Sequence, residues 1–192
     1  LWNYSKSGGD PEIKAVPTTT LTIAGGSQGG AVALWVTKFL DVYLPEALVD
    51  AVVALAPPSD LVGMLKTAAT ELTVGGVAMS MVLAVAADWY RSEAPLSDVI
   101  TGPGIAYIEN IFATECPKAQ MPEEVTSLSD IYTQKLLDTV ANGELEKLDP
   151  WYCFLYENSV ANSKIPTVQR PPILFVNGEK DDISMAAVQR AD

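Results

Sequence analysis

Residues 18–31 read TTTLTIAGGSQGGA, and the order of residue types within them decides the architecture. Residues 18–24 are β-branched and apolar, the composition of a strand. Gly25-Gly26-Ser27-Gln28-Gly29-Gly30 follow at once. Beyond them Val32, Trp35, Val36, Phe39 and Leu40 recur at helical spacing, which predicts a helix over 31–43 with Pro45 just past its end. A strand, a glycine-rich turn and a helix run in succession, with one serine at the turn.

The spacing Gly25-x-Ser27-x-Gly29 is that of a nucleophile elbow. Such a turn pushes the serine hydroxyl outward and crowds its neighbours. Both flanking glycines are therefore expected to be needed for their small size, with Gly26 and Gly30 relaxing the packing further. The backbone amide of Gln28 would then point into an oxyanion hole at the helix N-terminus. A phosphate-binding P-loop would need a lysine after the glycines, and none follows. The dinucleotide fingerprint G-x-G-x-x-G is not matched either. A serine nucleophile also needs a base, yet the 192 residues contain no histidine. Gly30 stands where a serine–lysine pair at S-x-x-K spacing would place its lysine.

Residues 48–55 (LVDAVVAL) end at Pro57-Pro58 and suit a buried parallel strand. Helix-like segments are then predicted near 61–70, 77–90, 105–114 and 128–141, with Pro95, Gly102-Pro103-Gly104 and Pro117 in their connections. Pro171-Pro172 opens a short strand over 173–176, expected to be buried, and a turn over 177–182 closes it. Residues 184–191 read as the start of a helix, and 1–17 as a polar loop. Strands alternating with helices give an α/β class with a parallel sheet. Three strands alone leave exposed edges and poorly covered faces, so the expectation is the middle and later part of a larger domain. Asp181 and its neighbour Asp182 sit in the turn after the late strand, where a carboxylate can serve a triad. Asp60, after the second strand, is the other acid in reach of that role, or a helix cap.

Composition narrows the partners. A net charge of −12 argues against nucleic acid and against an anionic membrane surface. It fits the solubility of a secreted or acid-living protein. The longest uncharged apolar-rich run, 72–87, is too short for a membrane span and contains Gly75, Gly76 and Ser80, so no transmembrane segment is predicted. No signal-peptide pattern opens the sequence. Cys116 and Cys153 are too few for a disulfide scaffold and wrongly spaced for zinc; one bridge and two buried free thiols are both open. Asn3-Tyr4-Ser5 fits a glycosylation sequon.

The blocks Ala24-Gly25-Gly26-Ser27-Gln28-Gly29-Gly30-Ala31 and Leu55-Ala56-Pro57-Pro58-Ser59-Asp60-Leu61 together resemble the secretory lipases of fungi and bacteria, the group of Candida antarctica lipase A. So do Asp149-Pro150-Trp151, Glu157-Asn158-Ser159, and Pro172 through Asp181. The resemblance implies an α/β-hydrolase fold, present in part, with a helical lid or cap inserted after the strand that follows the elbow. It implies a hydrolase core over 1–60, the insertion over 61–165, and core again over 166–192 with the acid-bearing turn. It also implies hydrolysis of carboxylic esters and acylglycerols, secretion, a lipid–water interface as working surface, and neither cofactor nor metal. By motif match Ser27 would be the nucleophile, Asp181 the triad acid and Gln28 an oxyanion donor. The spacing from Gly178 to Asp181 is what favours Asp181 over Asp182. The family's early strands and its histidine loop have no counterpart here, and Ser184-Met185 stands where an apolar residue and proline are common.

The resulting expectation is a serine lipase or esterase whose histidine lies beyond residue 192, inactive as the 192 residues alone. The rival is a non-catalytic hydrolase-fold protein used for binding or as a scaffold; a peptidase or acyltransferase on the same fold is a second. The apolar helix containing Met81 and Val82 is expected either to line an acyl pocket or to be plain core.

Overall fold

The computed structural model describes residues 20–43, 45–90, 93–114, 123, 125–163 and 171–181. They fall into two compact units, one spanning Leu1–Leu55 with Ile165–Val176 and the other Ala56–Lys164 with Asn177–Asp192. The N-terminal loop, the sequon, Cys116, Asp182 and the helix start at 184–191 lie outside the described residues.

The first unit is a parallel sheet of three strands in the order β1-β2-β3, with β2 (Leu48–Leu55) between β1 (Thr20–Gly26) and β3 (Ile173–Val176). Helix α1 (Gln28–Tyr43) connects β1 to β2, as a parallel pair requires. The register places Gly26 beside Leu55 and Leu55 beside Val176, so the C-terminal ends of all three strands are level. Alternation along β2 buries Val52 and Ala54, and Val49 joins them because the β1–β2 register shifts between Leu21 and Thr22. Helix α1 presents Ala33, Leu34, Thr37 and Leu40 to the interior, and the Thr37 hydroxyl bonds back to the Ala33 carbonyl at 2.8 Å. Its other face leaves Val32, Val36 and Phe39 exposed, and all four residues of β3, expected to be buried from their apolar run, are exposed as well. Strand β1 runs two residues further than its β-branched content predicts, because Gly25 and Gly26 pair with Ala54 and Leu55. Helix α1 begins three residues earlier than predicted, so the turn between them is Ser27 alone.

The second unit is helical: α2 (Leu61–Ala68), α3 (Val74–Tyr90), α4 (Gly102–Thr114), α5 (Gln134–Ala141) and α6 (Trp151–Asn158). Leu65, Met79, Leu83, Val99, Ile100, Tyr132, Leu136 and Trp151 form its core. The Tyr132 hydroxyl crosses that core to donate to the Gly76 carbonyl at 2.6 Å. Helix α4 starts at Gly102, so the Gly-Pro-Gly read as a connection is its first turn. Proline is tolerated there because the first amides of a helix lack partners anyway. Gly104 has no room for a side chain: a Cβ would come within 2.9 Å of the Ile131 carbonyl oxygen and the Ile100 side chain.

The single helix predicted over 128–141 is two elements. Asp130 closes a capping box with Ser127 around a short 3₁₀ turn, Leu128–Asp130. The chain then extends so that Tyr132 bridges Ile100, with Thr133 N–H donating to the Val99 carbonyl at 3.0 Å. Thr133 restarts the helix as its N-cap, accepting from Leu136 N–H. No prediction covered α6, whose residues WYCFLYEN carry apolar groups nearly all round and so show no period. Cys153 on this helix is a free, exposed thiol, not a buried one.

Candidate active site

The site is built from the residues at the C-terminal end of β1. Ser27 has φ 51°, a left-handed conformation that L residues adopt only when held there. Three backbone hydrogen bonds hold it. Its N–H donates to the Leu55 carbonyl at the end of β2 at 2.8 Å. Its carbonyl accepts from Gly30 N–H at 2.8 Å and Ala31 N–H at 3.2 Å. The residue is fixed on one side by the sheet and on the other by the first turn of α1, and it is exposed.

The close packing at the turn is one-sided. A Cβ on Gly25 would overlap the Gly29 carbonyl and lie 2.8 Å from Gly30 N, so Gly25 is required. A Cβ on Gly26 would make an ordinary 3.9 Å contact with the Leu55 side chain, and one on Gly29 would meet no described atom within 4 Å. The expectation that both flanking glycines are needed holds for Gly25 and not for Gly29. Gln28 and Gly29 open α1, and among the described residues no carbonyl accepts their amides. Free amides at a helix N-terminus bind negative charge.

Asp181 lies in the turn that follows β3, half-buried, with its own N–H donating to the Gly178 carbonyl at 3.2 Å. Gly178 is 3.7 Å from the Asp181 Cβ, counted from where its own Cβ would stand. Ser27 belongs to the first unit and Asp181 to the second, and each is placed within its own. Asp60, the alternative acid, is the N-cap of α2: its Oδ1 accepts from Gly63 N–H at 2.9 Å. That is a structural role for its carboxylate.

Two features of the turn carry no sequence signal that reading residue types would find. One is the Leu55 carbonyl beneath Ser27. The other is Ala56, which follows it with φ 43°, before Pro57. In the helical unit, α3 and α6 enclose an apolar groove of about 290 Å³ lined by Val82, Val85, Trp89, Tyr90, Phe154 and Asn158 among others. Tyr90 stacks on Phe154 with ring centroids 3.7 Å apart, and Asn158 Nδ2 donates to the Tyr90 hydroxyl at 3.1 Å. Met81 packs against the core instead of lining the groove. No described helix is long and apolar enough to cross a membrane.

No protein-family model matches the chain, and no curated protein matches it in sequence. Solved structures do match. The rice cell wall degrading esterase LipA from Xanthomonas oryzae superposes with a TM-score of 0.71 at 14% identity, over 93% of this chain and 48% of that one. Its ligand-bound form gives 0.69 at 15% identity, over 92% and 47%. A protein from Legionella pneumophila gives 0.67 at 16% identity, over 90% and 45%. The chain spans about half the length of each of these structures. Its three-stranded parallel sheet with its helices is a partial α/β-hydrolase fold.

Proposed function

We propose that this chain is part of a secreted carboxylic ester hydrolase, a lipase or esterase, that acts through an acyl-enzyme on Ser27. The observation that carries the reading is Ser27 itself: an exposed serine, alone in a strand-to-helix turn, held at φ 51° by the Leu55 carbonyl. A left-handed serine in a sharp turn from strand to helix is what presents a hydroxyl to a substrate. The likeness in fold to an esterase supports the same class.

In this reading the Ser27 hydroxyl attacks the ester carbonyl carbon while a base takes its proton. The developing oxyanion is met by the amide of Gln28. The alcohol leaves with the proton, and water then attacks the acyl-enzyme by the same route to release the acid and restore Ser27. Asp181 is the acid that orients and stabilises the base. The base is a histidine outside these 192 residues, which contain none. The helical unit is the lid, and its groove along α3 and α6 takes the acyl chain of an ester or acylglycerol at a lipid–water interface. The resemblance to Candida antarctica lipase A-like enzymes supports the roles of Ser27, Gln28 and Asp181 and of the lid, and the apolar lining of the groove supports the acyl chain.

A second reading, a non-catalytic hydrolase-fold binding or scaffold protein, is favoured by one fact, the absence of histidine. One experiment separates them. A fluorophosphonate probe is expected to label the complete protein at Ser27, and Ser27→Ala to abolish both label and ester turnover. A complete protein that turns over no ester and takes no label on Ser27 would leave the scaffold reading standing. The 192 residues alone are expected to turn over no ester; serine-dependent turnover by them would show that the base is not a histidine.

A further inference from the structure

Ser27 and Ala56 are the two non-glycine residues with positive φ among the described residues, at 51° and 43°. Side chains of L residues avoid that region, and the residue before a proline is restricted further. Strain of this kind persists where the surroundings impose it, and it gathers at sites of function.

One hydrogen bond ties Ser27 to the peptide plane that leads into Ala56. The carbonyl that receives the Ser27 amide at 2.8 Å belongs to Leu55, and so to the rigid peptide plane joining Leu55 to Ala56. Rotating a peptide plane within a chain held at both ends changes ψ of the first residue and φ of the second in opposite senses. The Leu55 side of this plane is held by the β1–β2 ladder, where Gly26 stands beside Leu55. On the other side Pro57 has a fixed φ and is buried. If Ala56 relaxed to negative φ, the plane would swing and carry the Leu55 carbonyl off the Ser27 amide. Ser27 would then keep only the Gly30 and Ala31 amides on its carbonyl. Nothing would fix its own left-handed state from the sheet side.

We propose that Ala56 is a positioning residue for Ser27: its left-handed turn keeps the Leu55 carbonyl on the Ser27 amide and thereby sets the direction of the Ser27 hydroxyl. This rests on the reading of Ser27 as the nucleophile. It makes position 56 a selector of backbone conformation. Glycine and asparagine enter the positive-φ region readily, serine less so, and a β-branched residue least.

The test uses the complete protein with Ala56→Gly, Ala56→Asn, Ala56→Ser and Ala56→Val. Three quantities are read: melting temperature, the rate of fluorophosphonate labelling at Ser27, and kcat and KM on a short soluble ester. Ala56→Gly and Ala56→Asn are expected to label within about threefold of the parent, and folded Ala56→Val about tenfold or more slowly, as for a displaced reacting group. In Ala56→Val kcat should fall with the labelling rate while KM stays, a split that loss of stability alone does not produce. If Ala56→Val does not fold, the pair Ala56→Asn and Ala56→Ser decides, with serine the slower despite a matched melting temperature. Folded Ala56→Val labelling at the parent rate, or, where Ala56→Val does not fold, Ala56→Ser labelling as fast as Ala56→Asn, overturns the role while leaving Ser27 as nucleophile. A parent protein that takes no label on Ser27 overturns the nucleophile reading, and the role of Ala56 with it.

Discussion

The carbonyl of Gly29 fills the space into which a side chain on Gly25 would project. A methyl group there would overlap backbone, which cannot swing aside as a flexible side chain can. Gly25→Ala is therefore expected to destabilise the protein by about 2–3 kcal/mol or more, the range for forced overpacking. Gly29 lies in α1 with nothing described within 4 Å of its missing Cβ. Gly29→Ala should leave stability unchanged or raise it by up to about 1 kcal/mol, the helix propensity gained. Denaturant unfolding of both variants in the complete protein measures the contrast. Equal losses in the two would show that the crowding is symmetric after all.

What could be read ahead of the structure follows from where the information sits. The strand, turn and helix around Ser27 are set by residue types within a dozen positions, so the α/β class and the serine at the turn were legible. Asp60 was legible as a cap because an aspartate before an apolar helical run has a local partner, here Gly63 N–H. The start of α4 was not, because Gly-Pro-Gly looks like a linker. Thr101 Oγ1 accepts from Gly104 N–H at 3.1 Å and so caps this start, while the crowding that requires Gly104 comes in part from Ile131, a contact between residues distant in sequence. The break before α5 was hidden for the same reason, since Tyr132 leaves the helix to bridge Ile100. Ala56 was invisible because alanine as a residue type gives no hint of positive φ.

Tyr132 carries a phenol that is fully buried and donates to the Gly76 carbonyl. Burial pushes its ionisation well above the usual tyrosine range, so the hydroxyl stays a donor at neutral pH. Tyr132→Phe deletes the donor and leaves the ring. The expected loss is about 1–2 kcal/mol, that of a buried hydrogen bond with its acceptor left short of a partner. The melting temperature of the complete protein should drop accordingly. An unchanged value would show that Gly76 has another donor ready.

Asp130 gathers three bonds on its Oδ2, from the amides of Thr126 and Ser127 at 2.8 Å and the Thr126 hydroxyl at 3.0 Å. Those donors favour the charged form and hold the carboxyl below the usual carboxylate range. The folded value is thus below the unfolded one, near 3.9. The stabilisation is complete above about pH 4 and fades as pH falls through the lower folded value. Asp130→Asn keeps an acceptor but loses the charge. Its melting temperature should lie below the parent's at pH 7, with the gap closing in acid. A gap that does not narrow at all as the pH falls would assign the difference to packing and not to ionisation.

Asp60 and Asp181 can be told apart by separating stability from turnover. The Asp60 carboxylate caps α2, so Asp60→Ala should cost about 0.5–2 kcal/mol. Asp60→Ser should restore most of that, because serine caps nearly as well. Neither should change turnover per folded molecule. Asp181→Asn should do the reverse if Asp181 orients the base. The melting temperature would move little, while kcat on esters would fall by about 10³–10⁴, as when a triad acid can no longer stabilise a charged imidazole. Asp182→Asn, beside it, should match the parent in both. Turnover lost in Asp60→Ala at full stability, with Asp181→Asn active, would move the acid from the turn after β3 to the loop after β2.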